Sequence, residues 1–376
     1  MTISKPALLG AIRGGCCGFL VLAAAWGPAA QAGLPEPGDQ SDPVPADEAK
    51  DRRGPKLYGY TQAYFRHAVA TGEDPDVDNE NFRIQRVRIG IKGEVQPKVS
   101  YVVEIDPRSP AIEGVLRDAY IALEHIPRHE LRIGQQKTQF GYENNVSSSK
   151  LFAVNRTEIS EGPARGRTLR DIGVGLIGNV KLGGGWRFED AITVVNGAGA
   201  NAQEDDTPTK NIWGRLGMRY KNDDSNLVTR FGASGGHGDF IDPDDPTDPT
   251  RDLLIKFESY GVDVQVDHRL FFVSAEVVMG IQHITNVDPA NPDGPIDEID
   301  DPMGYYVNLV GKIPSLHAGP ILRYDTLGDE FARLTLGAYW GEAAAPLRLM
   351  LSYELRQLID EVRADDKAYV WLQVRF

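Results

Sequence analysis

The sequence predicts an all-β protein: a transmembrane antiparallel β-barrel of about 16 strands with one inward-folded constriction loop. Three observations support this fold. Apolar residues recur at every second position in many short segments, and the connections between segments alternate between tight turns and long polar loops. The alternation also continues to the last residue, Phe376. A period of two is typical of strands whose two faces meet different surroundings.

The first 32 residues have the features of a secretory signal peptide. A basic start is followed by the short apolar run GFLVLAAAW and by an A-x-A cleavage site that ends at Ala32. We therefore expect export through the Sec pathway and cleavage after residue 32. Both cysteines of the chain, Cys16 and Cys17, precede this site. The mature protein would then have no disulfide and no cysteine metal site.

Residues 33–55 form a second, different segment. Prolines and acidic residues dominate it, and it has too little apolar mass to bury a core, so we expect a disordered periplasmic segment. No stretch after residue 32 approaches the roughly 18 consecutive apolar residues of a membrane helix. The remaining residues, 56–376, are predicted to form the outer-membrane barrel.

The strands are predicted from alternation. In FRIQRVRIGIKGE, for example, valine and isoleucine share one face while Arg86, Arg88 and Lys92 share the other. The apolar half of each strand would meet lipid, and the hydrophilic half would enclose water. The sixteen strands are expected to begin near residues 56, 82, 99, 115, 130, 170, 186, 210, 226, 253, 270, 304, 317, 331, 347 and 366.

A soluble β-sandwich with solvated outer faces would show similar alternation. The strand lengths, the asymmetry of the connections and the uninterrupted final strand favour the membrane barrel. Backbone N–H and C=O groups cannot remain open in hydrocarbon, so the last strand must pair with the first. An even number of strands places both termini at the short-turn, periplasmic rim.

Motifs for catalysis and metal binding are weak. Gly232–Gly236 fits G-x-S-x-G, but a nucleophile elbow needs a following helix, and a loop rich in Asp and Pro follows instead. The seven histidines include no HExxH, and the acidic run from Asp74 departs from an EF-hand at Asn79 and Gln85. A Ser-His pair in the barrel wall stays open. We predict no enzyme, no cofactor, no metal and no nucleic-acid partner; acidic loops that bind divalent cations bridging to lipopolysaccharide are a hypothesis.

The connection from Gly141 to Arg170 differs from the other long loops. It carries more basic than acidic residues, whereas the others are strongly acidic. A loop this long inside a compact domain is usually functional. We expect it to fold into the barrel and to narrow the pore, with Arg156, Arg165, Arg167 and Arg170 contributing positive charge.

Basic residues on the predicted inward faces would continue this constriction. Rings or ladders of Arg and Lys select anions through charge-assisted hydrogen bonds. The alternative is a lumen of mixed charge with little selectivity, and the sequence leaves both open. The wall residues proposed for anion binding are Arg86, Arg88, Lys92, Arg132, Arg215, Arg219 and Arg323.

The chain resembles the phosphate-selective porin O and P family of bacterial outer-membrane porins. The resemblance is carried by FRIQRVRIGIKGE, LRDAYIAL, LRIGQQKTQFGYE, RTLRDIGVGLIG, VVNGAGAN, ILRYDTLG and the terminal Phe376. It implies a 16-stranded barrel, a homotrimer, an inward third loop, a lumen ladder for anions and an aromatic C-terminus read by the barrel-assembly machinery. The chain departs from the family pattern in its weakly basic third loop and its strongly acidic exterior.

The expected function is therefore passive diffusion of small hydrophilic solutes, in particular anions such as phosphate, through a water-filled channel. The alternative is an outer-membrane barrel with a structural or surface-interaction role through its acidic extracellular loops. Discrete conductance steps in planar bilayers would separate the two, because a purely structural barrel should show none.

Overall fold

A computed structural model describes residues 54–69, 80–108, 115–161, 170–202, 204, 205, 207–242, 253–286, 298–328, 331–358 and 366–376. The predicted signal peptide, and residues 33–53 of the segment after it, lie outside these ranges, so both remain predictions. No helix in the described part of the chain is long and apolar enough to cross a membrane.

The described residues form sixteen strands. They are β1 (Lys56–Val69), β2 (Glu80–Gln96), β3 (Val99–Ile105), β4 (Leu116–Leu123), β5 (His129–Lys137), β6 (Arg170–Gly183), β7 (Trp186–Val195), β8 (Asn211–Asn222), β9 (Leu227–Asp242), β10 (Leu253–His268), β11 (Phe271–Asn286), β12 in two segments (Glu298–Asp300 and Met303–Gly311), β13 (Ala318–Leu327), β14 (Phe331–Trp340), β15 (Leu347–Leu358) and β16 (Asp366–Arg375). A short helix, α1 (Glu158–Glu161), and two 3-10 turns, Ser148–Lys150 and Pro314–Leu316, lie in the connections.

Every strand pairs antiparallel with its sequence neighbours, and β1 pairs with β16 to close the sheet. Both segments of β12 pair with β11, so they form one interrupted strand. The closure includes two backbone hydrogen bonds between Gly59 and Phe376, each 3.0 Å long. The predicted closed barrel of 16 strands is therefore confirmed.

The two faces of the barrel differ as the alternation predicts. Outward side chains such as Leu216, Phe231 and Val262 are more than half exposed, whereas the inward Arg132 and Arg219 are only 2% exposed. A register slip of one residue would turn such arginines toward lipid, at about 2–4 kcal/mol each near the midplane. The register is therefore strongly specified.

A β-bulge explains a change of phase within β2. The pairing with β1 shifts between Gln62, which faces Arg86, and Ala63, which faces Ile84. Gln85 and Arg86 thereby both reach the interior, where each donates a hydrogen bond to the carbonyl of Val154. The exposed Ile84 and the later apolar residues of β2 can then share the outer face.

The expectation of a hydrophilic inner face is wrong over part of the barrel. Inward aromatic and aliphatic residues of β7–β12 pack against Phe140 and Ile159, which lie in the connection between β5 and β6. A second apolar cluster joins Val154 of the same connection to residues of β12–β16. Alternation predicted correctly which positions face inward. At some of these positions, however, the connection between β5 and β6 covers the side chains and shields them from water.

Gly59 tests the closure of the barrel. A Cβ at this position would lie 2.3 Å from the carbonyl oxygen of Arg88 and 2.6 Å from the Phe376 ring, whereas a Cβ at Gly214 would meet only the Ala191 carbonyl oxygen at 3.7 Å. We expect Gly59→Ala to lower the fraction of heat-modifiable, folded protein on semi-native gels, because the added Cβ would force β1 away from β2 and from Phe376. The matched Gly214→Ala variant should fold normally, and equal folding of both variants would contradict this account of the closure.

Candidate pore constriction

The connection between β5 and β6 crosses the inside of the barrel; its described part, residues 138–161, is called the constriction loop below. Its first turn is fixed to β9 and β11. The Gly141 N–H donates to the Ser234 hydroxyl at 3.0 Å. The N–H groups of Tyr142 and Glu143 donate to the two oxygens of the Glu276 carboxylate, each at 3.1 Å.

The second half of the constriction loop is fixed to another part of the wall by arginines from three adjacent strands. Arg323 of β13 donates to the Asn155 carbonyl at 2.8 Å, and Arg333 of β14 donates to the Arg156 carbonyl at 2.9 Å. Arg348 of β15 donates to the Leu151 carbonyl at 2.8 Å. The loop therefore spans the lumen and is anchored on separate wall segments, which confirms the predicted inward fold for its described residues.

Basic side chains also hold the constriction loop together internally. The Lys137 ammonium donates to the carbonyls of Asn144 at 2.9 Å and Val146 at 3.2 Å. The Arg156 guanidinium donates to the carbonyls of Glu143 and Val146. Arg156, predicted to line the pore as an anion-binding residue, is 5% exposed and serves as an internal brace.

Glu143 provides the negative charge at the centre of this brace. Burial alone would raise the pKa of its carboxyl group, but Arg323, Arg156 and the hydrogen bonds from Thr157 together hold that pKa below its usual value. The Thr157 N–H and hydroxyl donate to the Glu143 carboxylate at 2.9 and 2.7 Å. Since the folded-state pKa is lowered, this contribution to stability is present at neutral pH and is lost only as the pH falls through the lowered value.

The G-x-S-x-G sequence of β9 serves the constriction loop and its packing. Ser234 accepts the Gly141 hydrogen bond described above. A Cβ at Gly232 would lie 2.2 Å from the Arg215 guanidinium, and one at Gly236 would lie 2.2 Å from the Trp213 ring. Trp213 in turn packs edge-on against Phe140, with ring centroids 5.4 Å apart. These contacts account for both glycines and the serine by structural roles, and none of the contacts requires the serine to be a nucleophile.

Most predicted wall arginines lie in the interior next to acidic or amide partners. Arg88 lies 3.3 Å from Glu104 and 3.4 Å from Asp106. Arg215 pairs with Asp263, and Arg132 pairs with Glu130. Arg86 donates to the Gln62 side chain at 3.0 Å. The acidic partners offset much of the positive charge that the sequence pattern predicted for an anion ladder.

Other predicted residues differ from the expectation in position or partner. Arg170 is the first residue of β6, not part of the loop, and its guanidinium donates twice to Asp118, at 3.0 and 3.1 Å. Arg323 both anchors the constriction loop and lies 3.4 Å from Asp325. Lys92 is exposed, with its ammonium 5.5 Å from the centre of the Tyr58 ring. Arg165 and Arg167 lie outside the described residues and stay predictions.

A row of three arginines is the clearest concentration of positive charge on the wall. In the strand register Arg187 of β7 faces Arg219 of β8, which faces Arg230 of β9. Acidic groups lie near this row, and the Glu189 carboxylate is 4.0 Å from the Arg230 guanidinium. Of these three, only Arg219 was predicted from the sequence as an anion-binding residue. Arg187 and Arg230 could have been predicted in the same way, because each directly precedes an outward phenylalanine, Phe188 or Phe231, in its strand.

Across the described ranges, no group of three or more His, Cys, Asp or Glu side chains is arranged to hold a metal ion. The described residues of the site bring together arginines, carboxylates and a braced loop in the interior of the barrel.

Comparison with known proteins identifies this architecture. Residues 56–238 match the family model for phosphate-selective porin O and P. Among solved structures, the chain is similar to OmpF of Salmonella typhi in complex with daunomycin, with 14% identity, a TM-score of 0.56, and coverage of 87% of this chain and 99% of that one. At such identity the likeness shows the porin fold. No curated protein matches the chain.

Two further structures are similar over the same extent. An anion-selective porin from Comamonas acidovorans is 12% identical, with a TM-score of 0.55 and coverage of 86% of this chain and 99% of that one. OmpT of Vibrio cholerae, an outer membrane protein in its trimer form, is 13% identical, with a TM-score of 0.53 and the same coverage. The chain thus shares its fold with outer-membrane proteins, an anion-selective porin among them.

Proposed function

Because residues 56–238 match the phosphate-selective porin O and P family, we propose that the protein is an outer-membrane porin whose constriction loop sets the width of a water-filled channel. The observation that carries this proposal is the anchoring of the constriction loop across the barrel interior, at Glu276 on one side and at Arg323, Arg333 and Arg348 on another. Solutes would pass between the loop and the uncovered wall. No covalent step is involved.

The solutes that we propose are small anions, phosphate among them. Arg187, Arg219 and Arg230 are adjacent on three strands, and guanidinium groups suit phosphate and carboxylate oxygens. The similarity to an anion-selective porin agrees with this charge. Since acidic side chains lie near many wall arginines, Arg230 included, we expect the preference for anions to be modest.

The cellular setting follows from the same proposal. A cleaved Sec signal, assembly by the machinery that reads a terminal aromatic residue, and contact with lipopolysaccharide are all expected of an outer-membrane porin. A homotrimer is proposed from the family resemblance and from the trimer form of the similar OmpT structure. Trimer formation can be checked by the mass of the detergent-solubilised protein.

The ion selectivity of the channel tests the proposal that Arg219 and Arg230 favour anions. We expect Arg219→Gln together with Arg230→Gln to lower the chloride-to-potassium permeability ratio about twofold to fivefold, the size of screened interactions of about 0.5–1 kcal/mol. The measurement is the reversal potential in planar bilayers under a salt gradient, repeated with phosphate as a blocker. Lys256→Gln is the control, because Lys256 is exposed on the outer face of β10. Cation preference that is the same in wild type and double variant would contradict anion selection by this row.

A further inference from the structure

Three of the tight turns at the short-turn rim repeat one combination of residues. Each has an exposed aliphatic residue and, close after it, an exposed basic residue whose φ angle is positive. The pairs are Val95 with Lys98 (φ 68°), Ile126 with Arg128 (φ 65°) and Leu316 with His317 (φ 49°). These six residues are called the basic collar below.

The positive φ angles make the choice of basic residues informative. The left-handed region favours glycine or asparagine, because the Cβ of other residues crowds the following carbonyl oxygen. Other turns of the same rim follow this preference, with Gly184, Asn226 and Gly341 at positive φ. Lys, Arg and His in this conformation therefore carry a conformational cost, and strained positions that persist point to a function of the side chain.

The backbone fixes these three basic residues in equivalent positions. The Lys98 carbonyl accepts the Glu124 N–H at 2.9 Å, and the Arg128 carbonyl accepts the Asn179 N–H at 3.0 Å. The His317 carbonyl accepts the Gly341 N–H at 2.8 Å. Each turn is thus tied to the next part of the rim while its basic side chain remains exposed, and the His317 ring also lies 3.4 Å from the Glu342 carboxylate.

The aliphatic members expose apolar surface at the edge of the barrel. Val95 is 72% exposed, Leu316 is 59% exposed and Ile126 is 44% exposed. Leu182 and Leu270, at two more short turns, are also about half exposed, and each is next to an exposed basic residue in the chain. Aliphatic side chains beside exposed cations, spread around a ring, fit a flat bilayer surface better than one protein partner.

We propose that the basic collar binds the anionic phospholipid headgroups of the leaflet at the short-turn rim. The aliphatic residues insert at the top of the acyl chains, and Lys98, Arg128 and His317 contact the phosphates. The charge of the collar contrasts with the net charge of −14 of the whole chain. This inference rests on the membrane barrel of the proposed function, but not on the solute or on conduction.

The test compares lipid binding by wild type and the Lys98→Asn/Arg128→Asn double variant. Asparagine tolerates positive φ, so the variant should fold at least as well as wild type. Native mass spectrometry of the detergent-solubilised protein, titrated with phosphatidylglycerol or with phosphatidylcholine of the same chain length, gives the apparent affinity for each lipid. We expect phosphatidylglycerol binding to weaken about 25-fold, or about fivefold per cation, with phosphatidylcholine binding unchanged.

Lys221→Asn is the matched control, because Lys221 is an exposed rim cation that pairs with Asp223 at 2.8 Å. It should bind phosphatidylglycerol as wild type does. Equal affinities of wild type and double variant for phosphatidylglycerol would overturn the proposed role of the collar. The same conclusion would follow if the Lys221→Asn control lost as much phosphatidylglycerol affinity as the double variant. A barrel without conductance that still prefers phosphatidylglycerol would refute the porin function and leave the collar intact.

Discussion

Replacing residues 138–169 by a Gly-Asn turn is expected to raise the single-channel conductance several-fold. The change is sterically simple, because Lys137 and Arg170 already face each other across β5 and β6. The deleted segment includes the constriction loop, which crosses the lumen, and the narrowest part of a channel dominates its resistance. Conductance of the purified variant in planar bilayers, compared with wild type in the same salt, measures the effect.

The deletion also exposes the inward apolar residues that the constriction loop covers, such as Trp213 and Phe257. We expect a lower unfolding temperature, but the continuous backbone hydrogen bonding of the closed sheet should keep the barrel folded. Semi-native gels and circular dichroism check that folding. A folded variant with unchanged conductance would show that the loop is not in the ion path, and would contradict the proposed constriction.

Glu276→Val is expected to detach the first turn of the constriction loop. The Glu276 carboxylate accepts the N–H groups of Tyr142 and Glu143 and, at 3.1 Å, the Tyr306 hydroxyl. Hydrogen bonds to a charged group contribute about 1.5–3 kcal/mol each, so losing three of them removes a large part of the attachment. Single-channel recording should show a larger and noisier open current.

Two further variants of this kind separate loop detachment from a general effect of lost charge. Glu276→Gln keeps the shape and one acceptor oxygen, so its current should lie between those of wild type and Glu276→Val. Glu258→Gln removes an exposed carboxylate from the outer face of β10 and should leave the current unchanged. A Glu276→Val channel as quiet and as narrow as wild type would mean that the loop is held without this carboxylate.

The sequence was sufficient to predict the strands because a barrel strand shows its two environments directly in its alternation. The predicted starts of the strands lie within two residues of the observed ones, apart from the short first segment of β12. The inward loop was predicted from its charge, and the structure confirms its place. Two basic residues brace it, since Arg156 of the loop and Lys137 at the end of β5 donate to the loop's own carbonyls.

Charge pairing in the lumen could not be predicted from the sequence. Alternation shows which face a side chain occupies, but Arg215 meets Asp263 only because β8, β9 and β10 pair in one particular register. The apolar clusters between the constriction loop and the wall could not be predicted for a similar reason. Trp213 and Phe257 occupy inward positions whose surroundings depend on a loop that is distant in the chain.

The central claim is that the inner face of the barrel meets water at the constriction loop while the outer face meets lipid. Cysteine accessibility tests it directly, because the mature chain is predicted to contain no cysteine. Glu158→Cys places a thiol on the constriction loop, and Val262→Cys places one on the outer face of β10. A charged, water-soluble thiol reagent should lower the conductance of the first variant in reconstituted channels and leave the second unmodified. Rapid modification at position 262, with none at position 158, would contradict the account.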